Sequence, residues 1–186
     1  MYILSRRSAV IGACAAIALP SVVRAAISGP EYIGVWQAIN LATGVTSELE
    51  RQTPRMRVRS KGLGGIFLGK AEGFAEISGA ASPVRFRSTD RIGFIMRVAS
   101  QREDPRNVIQ FMHVLPNKAT RRMGHSEFHA LGSGYKEDPG TGSVAYNLKK
   151  YGSDFFLITP SGTLAAGEYV LSFNAVADGF FFGIDA

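Results

Sequence analysis

The feature of this sequence that most limits its fold is the alternation of apolar and polar residues at every second position. From residue 26 onward, no stretch carries apolar residues at the i, i+3, i+4, i+7 spacing that an amphipathic helix requires. Alternation at period two instead gives a strand one row of side chains on each face. The sequence therefore predicts an all-β protein.

Turn signals separate the predicted strands, among them Ala42-Thr43-Gly44, Pro160-Ser161-Gly162 and Ala177-Asp178-Gly179. Residues 31–40 and 107–116 are apolar at successive positions, which is typical of strands covered on both faces. The Gly-rich residues 131–143 are predicted to form an exposed loop. We expect a single antiparallel β-sandwich, immunoglobulin-like or related, over residues 26–186.

Length and composition are consistent with one globular domain. The chain has 186 residues, of which 46% are hydrophobic and 19% charged, so disordered, collagen-like and disulfide-rich classes are excluded. A membrane barrel needs continuous lipid-facing apolar rows. The arginine-rich rows RMRVRSK and SPVRFRS argue against one.

The first 25 residues resemble an export signal. Arg6 and Arg7 precede a mostly apolar stretch, and Ala25 offers a small residue for cleavage. The paired arginines after Ser5 resemble the twin-arginine export motif, with a general secretory signal as the alternative. We expect cleavage near Ala25, a periplasmic or secreted product, and no stable transmembrane anchor, since the apolar stretch is short and interrupted.

Removing this leader changes the chemistry of the chain. Cys14, the only cysteine, lies inside it, and we expect this residue to pack as a small hydrophobe rather than to carry a lipid. The leader also holds three of the 21 basic residues and no acidic ones. The remaining 18 basic and 15 acidic residues give a net charge of +3. The domain is therefore predicted to be thiol-free and mildly basic.

Two basic rows predict a site for anionic ligands. Alternation places Arg and Lys on one face of each row, where guanidinium groups can hold phosphate or carboxylate bidentately. Solubility of exposed strands is the alternative explanation. The residues are Arg55, Arg57, Arg59, Lys61, Arg85 and Arg87.

The segment HSEFH carries a spacing that suggests a metal site. On a strand, His125, Glu127 and His129 share one face, and two imidazoles with a carboxylate are suitable zinc or iron ligands. A polar strand with surface histidines explains the same residues, and no established metal signature surrounds them. We expect no cofactor and no catalytic residue, with a metal-dependent or hydrolytic enzyme at these three residues as the alternative.

Several stretches resemble a group of uncharacterised exported bacterial β-sandwich proteins. They are residues 79–86 (GAASPVRF), 151–156 (YGSDFF), 164–171 (LAAGEYVL) and the terminal FGID at 182–185. The resemblance implies a β-sandwich and no particular activity.

The expected function is that of a non-catalytic binding or protein-interaction module in the cell envelope. Its partner would be an envelope protein or an anionic polymer. Nucleic acid is not expected, because the basic strands lack interleaved exposed aromatic residues and export removes the chain from the cytoplasm.

Overall fold

A computed structural model describes residues 29–60, 71–102, 104–129, 132–135, 142–173 and 178–186. Within these residues the chain forms fourteen strands and one turn of 3-10 helix at Pro105–Asn107. The strands are β1 (Trp36–Asn40), β2 (Thr46–Glu48), β3 (Glu50–Gln52), β4 (Arg55–Ser60), β5 (Ala71–Ser78), β6 (Arg85–Arg87), β7 (Ile92–Arg97), β8 (Ile109–Asn117), β9 (Thr120–His129), β10 (Gly132–Tyr135), β11 (Tyr146–Tyr151), β12 (Phe155–Pro160), β13 (Gly167–Phe173) and β14 (Gly179–Asp185). The predicted all-β sandwich fold is confirmed. Among the described helical residues, none forms a helix long and apolar enough to cross a membrane.

The smaller of the two sheets has the strand order β11-β12-β7-β1-β2, and all of its pairs are antiparallel. β1 lies between β7 and β2, with Trp36 and Ala38 on the face toward the large sheet and Ile39 on the opposite face. All three side chains are buried. The prediction that this strand is covered on both sides is therefore confirmed.

The larger sheet has the order β3-β14-β13-β8-β9-β5-β4. Two short strands lie beside this path: β10 pairs with β9, and β6 pairs with β14 in the only parallel pairing among the named, described strands. β8 is interior, as its apolar sequence predicts, with β13 on one side and β9 on the other. The expected loop at 131–143 is wrong in part, because β10 pairs with β9 from Gly132 to Tyr135 and so satisfies its backbone in a ladder.

The core between the sheets is built mainly from aromatic rings. Phe94 of β7 lies 4.7 Å from Phe182 of β14 and 5.6 Å from Phe111 of β8, measured between ring centroids. Tyr169 of β13 stacks on Phe182 at 5.4 Å. Ring pairs at these separations contribute roughly 0.5–1.5 kcal/mol each beyond their buried area. This cluster fixes the face-to-face packing of the two sheets.

The large sheet also buries part of its opposite face. Val170 and Phe181 point away from the inter-sheet core, yet both are fully buried. They cluster with Ala75 and Ile77 of β5 and with Met123 of β9. The sheet therefore curls until its β5 and β9 region covers the outer face of β13 and β14.

A side-chain link joins the two ends of this curled sheet. β3 and β4 lie at opposite ends of the strand order, although only Thr53 and Pro54 separate them in sequence. Gln52 of β3 donates to the carbonyl of Ser78 at 3.1 Å and accepts from the Ser78 amide at 3.2 Å. These two bonds connect β3 to the end of β5 much as a backbone pairing would.

Candidate functional site

The structure places the two predicted basic rows on strands that do not pair with one another. Arg55 and Arg57 lie on β4, which pairs with β5, whereas Arg85 and Arg87 lie on β6, which pairs with β14. Arg57 is exposed, with its Nε 3.7 Å from a carboxylate oxygen of Glu76. The side chain of Arg59 and all of Lys61 lie outside the described residues.

Arg85 is engaged by carboxylates of its own chain. Its Nη1 lies 2.7 Å from Glu168, and its Nη2 lies 2.7 Å from Asp185. Hydrogen bonds to Asp185 and then to Glu168 raise the pKa of Arg85 far above its usual range. Asp185 responds in the opposite direction, because its hydrogen bond with Arg85 lowers the pKa of that carboxyl. Nε of Arg85 also donates to Asp185, at 2.8 Å, so all three guanidinium nitrogens contact a carboxylate and few donors are left for a ligand.

Arg121 extends this ion-pair network into the interior. Its side chain is completely buried, and its Nη2 lies 2.8 Å from both carboxylate oxygens of Glu50. Its Nη1 lies 3.4 Å from Glu168, and its Nε donates to the carbonyl of Gly79. The sequence offers no signal for this role, because Arg121 stands between two other polar residues, Thr120 and Arg122.

The predicted metal ligands His125, Glu127 and His129 fall on strand β9, so the backbone there is extended. Their side chains lie outside the described residues. Among the side chains that the structure describes, no group of three His, Cys, Asp or Glu residues is placed to hold a metal ion. The metal hypothesis stays a prediction.

A pocket of about 260 Å³ gathers four basic residues that the sequence does not bring together. We call it the basic pocket, and its cations are Arg102, Arg106, Lys149 and Lys150. Among the described residues that line it, Asp104 is the one acidic residue, so these residues together carry a net charge of +3. Leu148 and Phe156 supply its apolar lining.

Two elements bring these cations together. Lys149 and Lys150 are successive residues of strand β11, which pairs antiparallel with β12 so that Lys150 lies opposite Phe156 and Lys149 lies opposite Leu157. Successive side chains of a strand point to opposite faces, so Lys150 shares the face of Phe156 and Lys149 borders the pocket from the other face of this edge strand. The segment before β8 supplies the arginines. Asp104 accepts from the amide of Arg106 at 3.0 Å, and Gln101 donates to the carbonyl of Phe155 at 2.6 Å. The Gln101 bond fastens this segment to the hairpin that carries the lysines.

Most cations of the basic pocket have no carboxylate partner. Arg106 lies 3.5 Å from Asp104, in a pair whose two side chains are both largely exposed. The side chains of Arg102, Lys149 and Lys150 form no ion pair with any residue in the described part of the chain. Three like charges beside one pocket repel one another, and an anion would relieve that repulsion.

A second polar pocket, of about 280 Å³, contains one of the residues predicted from the sequence. Arg87 and Arg91 line it together with Asp90 and the hydroxyl groups of several Ser and Thr residues. Asp90 accepts from the backbone amide of Arg87 at 2.8 Å and so closes the turn after β6. With two arginines and one aspartate, this lining has a smaller net positive charge than the basic pocket.

Sequence reasoning missed the basic pocket because its cations come from distant segments. The neighbouring pair Lys149 and Lys150 is visible in the sequence, but nothing there indicates that Arg102 and Arg106 lie beside it. The β11–β12 pairing and the Gln101 bond create that proximity.

No protein-family model, curated protein or solved structure matches this chain. The arguments about its function therefore rest on its own residues.

Proposed function

We propose that this protein is an exported, non-catalytic binding module whose basic pocket holds anionic groups. The observation that carries the proposal is the grouping of Arg102, Arg106, Lys149 and Lys150 around one cavity whose described lining includes one carboxylate, that of Asp104. An excess of unpaired cations at one concave place favours phosphate, sulfate or carboxylate groups.

The residue types match that chemistry. Arginine offers a planar fork of donors for two oxygens of one anion, and lysine offers a compact charge that follows a mobile group. All four basic residues are exposed, so a ligand can reach them from solvent. Export is the part of the proposal that rests on the sequence of the leader alone, namely Arg6 and Arg7, the apolar stretch after them and Ala25. It would place the pocket among the acidic polymers and lipids of the cell envelope.

Retention on a dextran sulfate column over a salt gradient tests the pocket. The variant K149E/K150E changes the net charge by four units at the pocket, and R55E/R57E makes the same change on β4. We expect the pocket variant to bind about tenfold more weakly, at roughly 0.7 kcal/mol for each exposed ion pair that is lost. The β4 variant should stay near the wild type.

The matched charge change makes the other outcomes decisive. If only R55E/R57E loses retention, the anion site lies on the β4 row and the pocket proposal is wrong. Equal losses would show that the column responds to net charge alone, which also contradicts the pocket. Circular dichroism of both variants establishes that the sheets are intact.

A further inference from the structure

An apolar cleft lies directly beside the basic pocket. Its volume is about 450 Å³, and its apolar lining includes Ile33, Met96, Val98, Val108, Phe156 and Phe173. The cleft is therefore formed by β7, by Phe156 of β12, by the end of β13 and by the segments that precede β1 and β8. Its size lies within the range of cavities that bind small molecules, roughly 300–1,000 Å³.

Two of these side chains remain open to water. Ile33 is 64% exposed and Val108 is 40% exposed. A single exposed apolar residue is ordinary, but two that border one cleft form a surface that gains free energy when an apolar group covers it. Phe156, only 4% exposed, lies beneath both the cleft and the basic pocket.

The two cavities share a border. Asp104, Pro105 and Phe156 line both of them. One side of this border presents unpaired cations, and the other presents apolar side chains. A molecule that spanned the border would need a negative charge at one end and an apolar body at the other.

We propose that the ligand of this site is a single-chain anionic amphiphile, with its acidic head in the basic pocket and its alkyl chain in the apolar cleft. The inference rests on the proposed function, since the head group uses the same cations. A purely polar polymer would leave Ile33 and Val108 uncovered, and a neutral apolar molecule would leave the cations unpaired. Only an amphiphile matches both cavities at once.

The fluorescence of a tryptophan near the cleft can report ligand binding there. Trp36 is the only tryptophan, and its ring stacks on Phe173 with centroids 5.6 Å apart. Because Phe173 lines the cleft, a ligand that packs against it should change the fluorescence of Trp36. Binding in the cleft can therefore be followed without a label.

The experiment is a fluorescence and calorimetric titration with sodium butanoate, octanoate and dodecanoate below their micelle concentrations. Octanol tests binding of the alkyl chain without a charged head group, and inorganic phosphate tests binding of an anionic group without an alkyl chain. We expect affinity to rise at least about tenfold from butanoate to octanoate, because part of the added chain is buried. Octanol should bind at least about tenfold more weakly than octanoate.

Variants assign the effect to the two cavities. Ile33→Asp should remove the dependence on chain length, whereas Val45→Asp should keep it, because Val45 is 62% exposed and lines neither cavity. K149E/K150E should weaken octanoate and leave octanol unchanged. Both aspartate variants replace exposed side chains, so neither should prevent folding.

The outcomes separate the two proposals. Phosphate binding or dextran sulfate retention that depends on Lys149 and Lys150, with no gain from chain length, would overturn the amphiphile and leave the anion site standing. Chain-length dependence without any effect of K149E/K150E, or octanol bound as tightly as octanoate, would overturn the joint use of the two cavities. If neither alkanoates nor sulfated polymer binds, both proposals are wrong.

Discussion

Nη1 of Arg121 lies 3.4 Å from Oε2 of Glu168, and both side chains are withdrawn from solvent. Glu168 also accepts from Arg85 and from the amide of Ser82 at 2.8 Å. Arg121 in turn holds Glu50. These contacts tie β9, β13, β6 and β3 together at the place where the large sheet curls.

Replacing Arg121 by Met should destabilise the fold by about 3–5 kcal/mol. The substitution leaves Glu50 without its cation and Glu168 with Arg85 alone, and removal of one partner from a buried ion pair costs that much. Urea unfolding followed by circular dichroism measures the loss. Arg106→Met is the control, because its pair with Asp104 is exposed and should be worth less than about 1 kcal/mol. A loss near 1 kcal/mol for both variants would contradict a stabilising role of the buried network.

Gly183→Ala should disturb the same ion-pair network at Arg85 and Glu168 rather than at Arg121. A Cβ at this position would approach the Arg85 guanidinium, and it would lie 2.9 Å from Oε1 of Glu168. Arg85 would have to leave Glu168, and we expect a loss of roughly 1–3 kcal/mol, as for a broken charged hydrogen bond. Gly162→Ala is the control, since a Cβ there meets nothing within 4 Å.

A double-mutant cycle identifies the cause. If displacement of Arg85 is the reason, Gly183→Ala should cost much less in an Arg85→Ala background than in the wild type. Thermal unfolding of the four proteins gives the coupling. Additive losses would mean that the backbone of β14, rather than Arg85, resists the methyl group.

The partial burial of His113 predicts that the folded protein loses stability at mildly acidic pH. It is half-buried, with its ring centroid 4.4 Å from that of Tyr169, and burial lowers its pKa below the ordinary value of 6.5. The unfolded chain therefore binds a proton more tightly than the folded one. The free energy of unfolding should fall as the pH drops below about 6.5.

Urea unfolding at pH 7 and pH 5.5 measures this effect, and His113→Phe should remove part of the difference. Three carboxyls with lowered pKa values act in a lower pH window, because their contribution to stability is lost only as the pH falls below their ordinary pKa values, 4.5 for Glu and 3.8 for Asp. They are Glu76, Asp178 and Asp185. An unchanged pH dependence in the Phe variant would assign the effect to groups other than His113.

Export is tested separately from binding. Replacing Arg6 and Arg7 by Lys keeps the charge of the leader but removes the paired arginines that the twin-arginine route recognises. We expect the precursor to remain in the cytoplasm of an expressing bacterium, as judged by fractionation and immunoblotting. Normal export of this variant would favour the general secretory route, and retention of the wild-type chain would contradict export altogether.

Alternation predicted most of the strands, because burial of one face imposes period two on the sequence. Strands β7, β8, β13 and β14 lie where the apolar rows place them. The curl of the large sheet was harder to predict, although β13 and β14 carry apolar residues on both faces. Such a pattern indicates that both faces of these strands are covered, but it does not indicate that the second face is covered by another part of the same sheet.

The basic pocket could not be predicted from the sequence for a different reason. A run such as RMRVRS indicates a row of charges because its members are neighbours in one strand. Arg102 and Lys149 belong to separate segments, and their proximity depends on tertiary hydrogen bonds such as the one from Gln101 to Phe155. The burial of Arg121 is set in the same way, by carboxylates from β3 and β13 that no local pattern reveals.

The position of β3 and β4 at opposite ends of one sheet has a consequence for the order of folding. Arg51 and its partner Asp178 are 127 positions apart in the sequence, whereas Gln52 and its partner Ser78 are only 26 positions apart. Residues 50–60 can contact β5 early in folding, because β5 follows them closely in the sequence. The pairing of β3 with β14 can form only after the last strand of the chain is available. Contacts over such distances slow folding, and during synthesis β3 would stay unpaired until β14 had left the ribosome. A chain cut before β14 should accordingly be prone to aggregate rather than fold in part.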